Sequence, residues 1–401
     1  MKWETAKLGE VGRFIRGITF KPDDIVEQSA KDAVVCMRTK NVQKELDQDD
    51  IIAVPSEFVR REEQYLQQGD MLVSTANSWE LVGKTCWVPQ LSYPATAGGF
   101  ISILRADQKW ILPRYLYHWV TYPKTQTKLR HCGRQTTNIS NMSLPLAEEL
   151  EIPFPPLAEQ RRLAAILDEA DALRKVRAES LRLLDQLVKA TFLDIFGDPV
   201  LNPKGWEEMK LGLLTTKIGS GSTPRGGESA YVAEGIRFIR SQNVRMNHMD
   251  LDGISYIDNE THERMKGTWI KQYDVLLNIT GASIGRVAYY PGEDDTANVN
   301  QHVCIVRPQK DKLSYCYLSH CISQDNYQKK MMITNQGGTR EAFNFEKISN
   351  FVLPVPPFPL QRRFSDFVTE VERERESMLS ALAASEQLFA SPSQRAFRGE
   401  L

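Results

Sequence analysis

Apolar positions along the 401-residue chain follow two periods, and the change of period marks out its parts. Short runs of β-branched and aromatic residues bounded by Gly, Asp or Pro predict strands: VVCMR from Val34, DMLVS from Asp70, FISILR from Phe100, IRFIR from Ile236, DVLLNI from Asp274, RVAYY from Arg286 and HVCIVR from His302. PRYLYHWV and SYCYLSHCI have helical spacing. From 157 to 196 the pattern changes: Pro and Gly are absent and Ala, Leu, Glu, Arg and Lys dominate. Steps of four and three give a seam of Leu163, Leu167, Ala170, Arg174, Arg177, Leu181, Leu184 and Val188, and the same steps recur at Phe364, Val368, Val371, Arg375, Met378, Leu382, Ser385 and Phe389. Two helices of about 38 residues, several times the mean length, are predicted to protrude and to pack together along these seams. Pro153, Pro155 and Pro156, and Pro354, Pro356 and Pro357, hold the chain extended just before each helix. Gly197, Asp198 and Pro199 stop the first.

The seams are one part of a longer echo, in which the second half repeats the first at an offset of about 201 to 204 residues. WETAKLGEV at Trp3 returns as WEEMKLGLL at Trp206, RTKNV at Arg38 as RSQNV at Arg240, and GDMLVS around Asp70 as YDVLLN around Asp274. GKTCWVP and GRVAYYP, ILR and IVR, and PFPPLAEQRR and PVPPFPLQRR follow in the same order. Between these anchors the halves diverge, with TANSWEL against ITGASI and TAGGF against NVNQH. The predicted architecture is α+β: a globular part (1–156) and a long helix (157–196), then a second globular part (197–357) and a second long helix (358–401). A shared framework with a divergent surface suits a protein that reads two different targets.

Composition narrows the function. Fifty basic against fifty-one acidic residues give a net charge of -1, so any nucleic acid must be met by local patches. Six scattered cysteines form neither a disulfide framework nor a CxxC pair, and no run approaches a membrane span or signal core; a cytoplasmic setting is expected. Familiar catalytic motifs are wanting. GSGSTPRGG at Gly219 lacks the Lys-Ser/Thr ending of a phosphate loop and a clear strand before it. Neither Asn202-Pro203 nor Asp198-Pro199 makes the Asn/Asp-Pro-Pro-aromatic element of an amino-methyltransferase. Glu208 and Lys210 lack the rest of a nuclease motif. Cys316, His320 and Cys321 read as a buried helix face rather than a zinc site.

The loops offer a different chemistry. Arg, Lys, Asn, Gln, Ser and Thr can donate to phosphates, and the longer ones can pair with base edges. Candidates in the first half are Arg38, Lys40, Asn41, Asn77, Ser78, Lys84, Arg130, Arg134, Gln135 and Asn138. In the second they are Ser220, Thr223, Arg225, Arg240, Gln242, Asn243, Asn278, Thr280, Ser283, Arg286, Asn300, Gln301, Asn335, Gln336 and Arg340. Asn41 and Asn243 serve equally well as caps of the turns after their strands. Arg161, Arg162, Arg362 and Arg363 stand in the first turns of the long helices, where the macrodipole disfavours cations, and are candidates for a partner or phosphate contact.

The PxPP-x₃-QRR lead-ins, GDP-x₂-NP-x-GW between the halves, YDVLLNITGASIGRVAYYPG, NVNQHVCIVRP and GGTREAFNFEKISNFVLPVPP together resemble the specificity subunit of type I restriction-modification systems. The resemblance covers essentially the whole chain, although the first half shows STANSWELVG and TAGGF where the second has NITGASIG and NVNQH. It implies that each globular part is a target-recognition domain reading one part of a split DNA site, and that the long helices form an antiparallel coiled coil that sets the gap. A helix of about 38 residues spans roughly 57 Å, enough to hold two reading heads about one DNA turn apart. It implies double-stranded DNA, modification subunits and restriction subunits as partners, and no membrane. It implies no cofactor in this chain, with S-adenosylmethionine, ATP and Mg belonging to the partners. A methyltransferase or nuclease active alone, and a coiled-coil scaffold without DNA affinity, are the alternatives.

Overall fold

The computed structural model of the chain describes residues 3–134, 139–294, 296–335 and 342–396. The chain divides into two compact units, Met1–Arg177 with Ser380–Leu401, and Ala178–Leu379. Each contains one globular half and a portion of each long helix.

In the first unit a four-stranded antiparallel sheet runs in the order Gly12–Arg16, Ile101–Ala106, Met71–Ser74, Thr85–Trp87. Its predicted strands lack polar alternation because both faces are covered. Leu72, Ile103 and Cys86 pack on Met37 and Ala97 of a second sheet, while Met71, Val73 and Leu104 pack on Tyr115, Leu116 and Trp119 of the helix Pro113–Thr121. The second sheet sets Ala33–Met37 between antiparallel Ile52–Pro55 and parallel Ala95–Ala97.

The second unit repeats the plan. Thr215–Ser220, Val303–Pro308, Val275–Asn278 and Val287–Tyr289 make the four-stranded sheet, and Ile236–Ile239 lies between antiparallel Ser255–Ile257 and parallel Ala297–Val299. The strand before GSGSTPRGG, indistinct in the sequence, is therefore real. Thr215–Ser220 is an edge strand half-exposed along its length, and pairing on one side alone needs no apolar run. No long helix follows it; the next element is the 3-10 turn Gly227–Ala230, so the segment is not a phosphate loop. Glu208 and Lys210 lie on a short strand paired with Val352–Pro354, the counterpart of Thr5–Lys7 with Glu151–Pro153. These pairs join the beginning of each globular part to the strand that leads into its helix.

The long helices span Leu157–Phe196 and Phe358–Ala396. Leu163, Leu167, Ala170 and Val188 of the first seam and Phe364, Val368 and Val371 of the second are buried, whereas Arg174 is exposed. The side chains of Ser385 and Phe389 lie outside the described set. In the second unit the helices run side by side in opposite directions: Phe192 meets Phe364 at 5.5 Å between ring centroids, and Asp185 lies 3.9 Å from Arg375. In the first, Arg177 Nη1 donates to the Ala381 carbonyl at 2.7 Å. Gly197, with φ of 79°, ends the first helix where the sequence places its stop.

The glutamine of each QRR locks helix to globule. Gln160 is fully buried; its Oε1 accepts from the Leu112 N–H at 2.8 Å, and its Nε2 donates to the carbonyls of Trp110 and Pro155 at 3.0 and 2.9 Å. Gln361 does the same with the Ser314 N–H at 2.9 Å and with the carbonyls of Lys312 and Pro356 at 3.3 and 2.8 Å. Tyr115 and Tyr317 add hydroxyl bonds to the carbonyls of Pro153 and Pro354 at 2.9 and 2.7 Å. A bidentate ion pair supports each sheet, Arg105 with Asp70 and Arg307 with Asp274, every contact at 2.7 Å. Cys316, His320 and Cys321 form a buried face of the helix Tyr315–Ile322; burial pushes both thiols up to about 12 and the imidazole down to about 4.

Candidate nucleic-acid interface

Backbone pairing gathers the candidate loops of each unit at one end of its sheets. In the second unit the Asn300 N–H donates to the Ile239 carbonyl at 2.9 Å, the Ile279 N–H to His302 at 3.0 Å and the Gly221 N–H to Val303 at 3.2 Å. Three loops, carrying Ser220 to Arg225, Arg240 to Asn243, and Asn278 to Arg286, therefore meet the Asn300–Gln301 turn. The first unit repeats three of these bonds: Gly98 N–H to Met37 at 2.9 Å, Thr75 N–H to Phe100 at 2.9 Å and Gly17 N–H to Ile101 at 3.1 Å. Glycine is required where the first strand crosses this turn, because a Cβ on Gly17 or Gly221 would overlap the carbonyl of Gly98 or Val299.

The residues within these loops differ in what they leave available. Thr223, Arg225, Gln242, Gln301 and Arg134 are exposed, and Ser220, Thr280, Ser283, Arg286, Asn77 and Lys84 are half-exposed. Thr280 Oγ1 bonds His302 Nδ1 at 2.6 Å, Asn77 Nδ2 donates to Ser74 Oγ at 3.1 Å, and Lys84 Nζ reaches Gln43 Oε1 at 2.5 Å. Arg38 and Lys40 both pair with Asp50. Such exposed pairs are worth only about 0–1 kcal/mol, so a phosphate can replace the carboxylate at little cost. Arg240 lies over the Tyr231 ring at 5.5 Å. Asn278 and Asn300 are buried: Asn278 Nδ2 donates to the Ser241 carbonyl at 2.8 Å, and Asn300 Oδ1 accepts from the His302 N–H at 3.1 Å.

Asn41 and Asn243 take the turn-capping role rather than base contact. Both are buried; Oδ1 accepts from the Arg38 N–H at 2.8 Å or the Arg240 N–H at 2.9 Å, and Nδ2 donates to carbonyls of Asp47 and Asp50 at 3.0 and 3.1 Å, or of Asp250 at 2.9 Å. An amide engaged on both sides and shut from solvent has nothing left to offer a base edge. Gln135, Asn138, Gln336 and Arg340 lie outside the described residues, as does the side chain of Asn335.

At the helix starts Arg162 pairs with Glu159 at 2.6 Å, which holds the Glu159 carboxyl below its usual range. Arg161, Arg362 and Arg363 are exposed, and Arg362 lines a cleft of about 930 Å³ with Tyr273, Tyr315 and Asp366. Outside the candidate set lie Arg114, His118 and Asp168. Arg114 and the His118 imidazole both meet the Asp168 carboxylate of the first long helix, and burial lowers the pKa of His118. The sequence signal available was His118 on the helical PRYLYHWV segment.

A unit built twice, with a cluster of donor-rich turns at one end of its sheet and a long helix bracketed at the other, defines a tandem recognition protein. The chain belongs to the family of type I restriction modification DNA specificity domains, which it matches twice, over residues 1–184 and 203–381. It is 22% identical over 420 residues to the specificity subunit of the type I restriction enzyme StySPI of Salmonella potsdam, covering 100% of this chain and 89% of that one. It is likewise 22% identical over 426 residues to the EcoKI specificity subunit of Escherichia coli K12, with the same coverage. Among solved structures, a type I restriction-modification S subunit from M. genitalium shares the fold at a TM-score of 0.60 and 14% identity, covering 99% of this chain and 96% of that one. Among the described residues no helix is long and apolar enough to cross a membrane.

Proposed function

We propose that this chain is the non-catalytic specificity subunit of a type I restriction-modification complex, each globular half reading one part of a bipartite duplex site. The observation that carries the reading is the duplicated turn cluster: the same backbone bonds present different side chains in the two halves. Contacts to phosphate would come from Arg38, Lys40, Lys84, Arg134, Arg225 and Arg286, and base reading from the turns around Asn77, Thr280, Ser283 and Gln301. Residues 1–156 and 197–357 serve as the reading domains. The helices from 157 and 358 form the antiparallel coiled coil that fixes the gap. Exposed Leu173 and Val176 in the first unit, and Leu183, Leu187 and Leu193 in the second, supply apolar surface for modification subunits, with Arg161, Arg162, Arg362 and Arg363 beside the lead-ins. S-adenosylmethionine, ATP and Mg belong to the partner subunits, and the complex works in the cytoplasm.

Selection of duplexes from a randomised library by the chain with its modification subunits tests this. The expected product is two unlike short sequences at a fixed gap, and affinity that falls steeply with salt. Four residues added to the middle of both long helices should widen the gap and leave both sequences unchanged. Selection of one continuous site, or a change in the bases read after the insertion, would refute the assignment.

A further inference from the structure

One exposed side chain outside the candidate residues, Phe100, sits in a turn that both units share. Residues 96–100 (TAGGF) and 298–302 (NVNQH) form equivalent turns. In each, a closing bond links the turn to the next strand, Ile101 N–H to Gly98 at 2.9 Å and Val303 N–H to Asn300 at 3.2 Å. The residue at the tip then accepts from the neighbouring strand, Phe100 from Thr75 at 2.9 Å and His302 from Ile279 at 3.0 Å. With these two bonds shared, the side chains at the tip differ. His302 is a polar ring, held through Nδ1 by Thr280 Oγ1 at 2.6 Å, with its Nε2 at 3.3 Å from the Nε2 of exposed Gln301. Phe100 presents a bare ring, 60% exposed, and belongs to none of the hydrophobic clusters of its unit.

A large apolar ring left in water beside polar turns costs solvation and supports no core, so its use lies in what covers it. The strand Ala76–Asn77 next to it pairs with Ser140–Met142, which in turn pairs with exposed Arg134, so the ring stands among the groups that face DNA in the reading above. Of the groups in the major groove, the thymine 5-methyl is the one that an apolar side chain recognises. We propose that Phe100 is a specificity-determining residue of the first half, reading a thymine through its 5-methyl group, where the second half uses His302 for hydrogen bonding. This rests on the DNA-reading function proposed above.

The test uses the full chain with its modification subunits on its own selected duplex, with each thymine of the first half-site replaced in turn by uracil, which removes the methyl alone. One such replacement should weaken wild-type binding by about fourfold, the worth of one buried methyl. Phe100→Ala and Phe100→His should be indifferent to that replacement, while still discriminating bases in the second half-site. The proposal is overturned if no uracil replacement matters to the wild type, if Phe100→Ala keeps the sensitivity, or if the first half-site holds no thymine. It is also overturned if Phe100→Ala abolishes a bend in the bound duplex without touching the methyl effect, since the ring would then be a wedge between base steps. A wild-type complex that selects no sequence would bring down the underlying function as well.

Discussion

Replacing Gln160 by Glu changes one atom type at the bracket between globule and helix, and its cost follows from the three bonds. The acceptor toward the Leu112 N–H at 2.8 Å survives; the donor that faces the Trp110 and Pro155 carbonyls at 3.0 and 2.9 Å becomes an oxygen. Ionised, the new carboxylate is a charge without a partner in a fully buried position, costing about 3–5 kcal/mol. Protonated, it restores one donor for two carbonyls and loses about 1 kcal/mol, but at pH 7 holding the proton on a group with an ordinary pKa of about 4.3 costs roughly 4 kcal/mol more. Either way the loss is about 3–5 kcal/mol at neutral pH. The folded pKa is raised, so the deficit is smallest below the unfolded pKa near 4.3 and grows as pH rises from there toward the folded value.

Unfolding of a chain with two units is not one transition, so the assay is hydrogen exchange followed locally, over residues 110–116 and 157–165. At pH 7.5 these segments should exchange faster than wild type by about two to four powers of ten, and the acceleration should shrink at pH 5 after correction for intrinsic rates. The equivalent segments around Ser314 and Gln361 act as an internal reference and should not change. An acceleration under tenfold at pH 7.5, or one equal at both pH values, would show that the glutamine does not lock the helix.

Three further outcomes follow from the geometry. Arg307→Met leaves Asp274, 1% exposed, without its bidentate partner and should cost about 3–5 kcal/mol, seen as a lowered urea midpoint for the second unit; adding Asp274→Leu should recover part of it. His320 packs edge-on against Phe364 at 5.4 Å, and its imidazole is pushed down to about 4, so the stability it contributes is complete above about 6.5 and drains as pH falls from there toward 4. The loss is roughly 3 kcal/mol, and acid unfolding of His320→Leu should be flatter over that window. Gly221→Ala drives a Cβ into the Val299 and Asn300 carbonyls and should weaken binding at the second half-site alone, measured on duplexes that keep one half-site intact; an equal loss at both would contradict the placement of that turn.

The predicted strands and helices were legible because burial on both sheet faces writes unbroken apolar runs, and because the repeat checks each assignment against a second copy. Thr215–Ser220 was not legible, since an edge strand needs no such run. The role of Gln160 and Gln361 was hidden for another reason. A glutamine followed by two arginines at the start of a helix reads as a solvated turn, and only the carbonyls of Trp110 and Lys312, about fifty residues away, show otherwise. The same holds for the asparagines. Whether Asn41 caps a turn or faces DNA depends on the carbonyls of Asp47 and Asp50, which the local sequence does not place. The reading edge itself joins segments far apart in the chain, such as Gly17, Met37, Thr75 and Phe100, through backbone bonds that side-chain chemistry cannot announce.

Duplication supplies a criterion that one domain would lack. Where both halves keep the residue and its bonds, as with Asn41 and Asn243, Gln160 and Gln361, or the Asp70–Arg105 and Asp274–Arg307 pairs, the side chain answers to a demand of the fold that does not depend on the sequence read. Where both keep the backbone bond and change the side chain, as at Phe100 and His302, the fold is indifferent and something outside it made the choice. Two halves that read unlike sequences must differ at the second kind of position and can share the first. The donor-rich character that marked Asn41 and Asn243 as candidates therefore belongs to the framework, and specificity lies with turn tips whose backbone bonds match and whose chemistry does not.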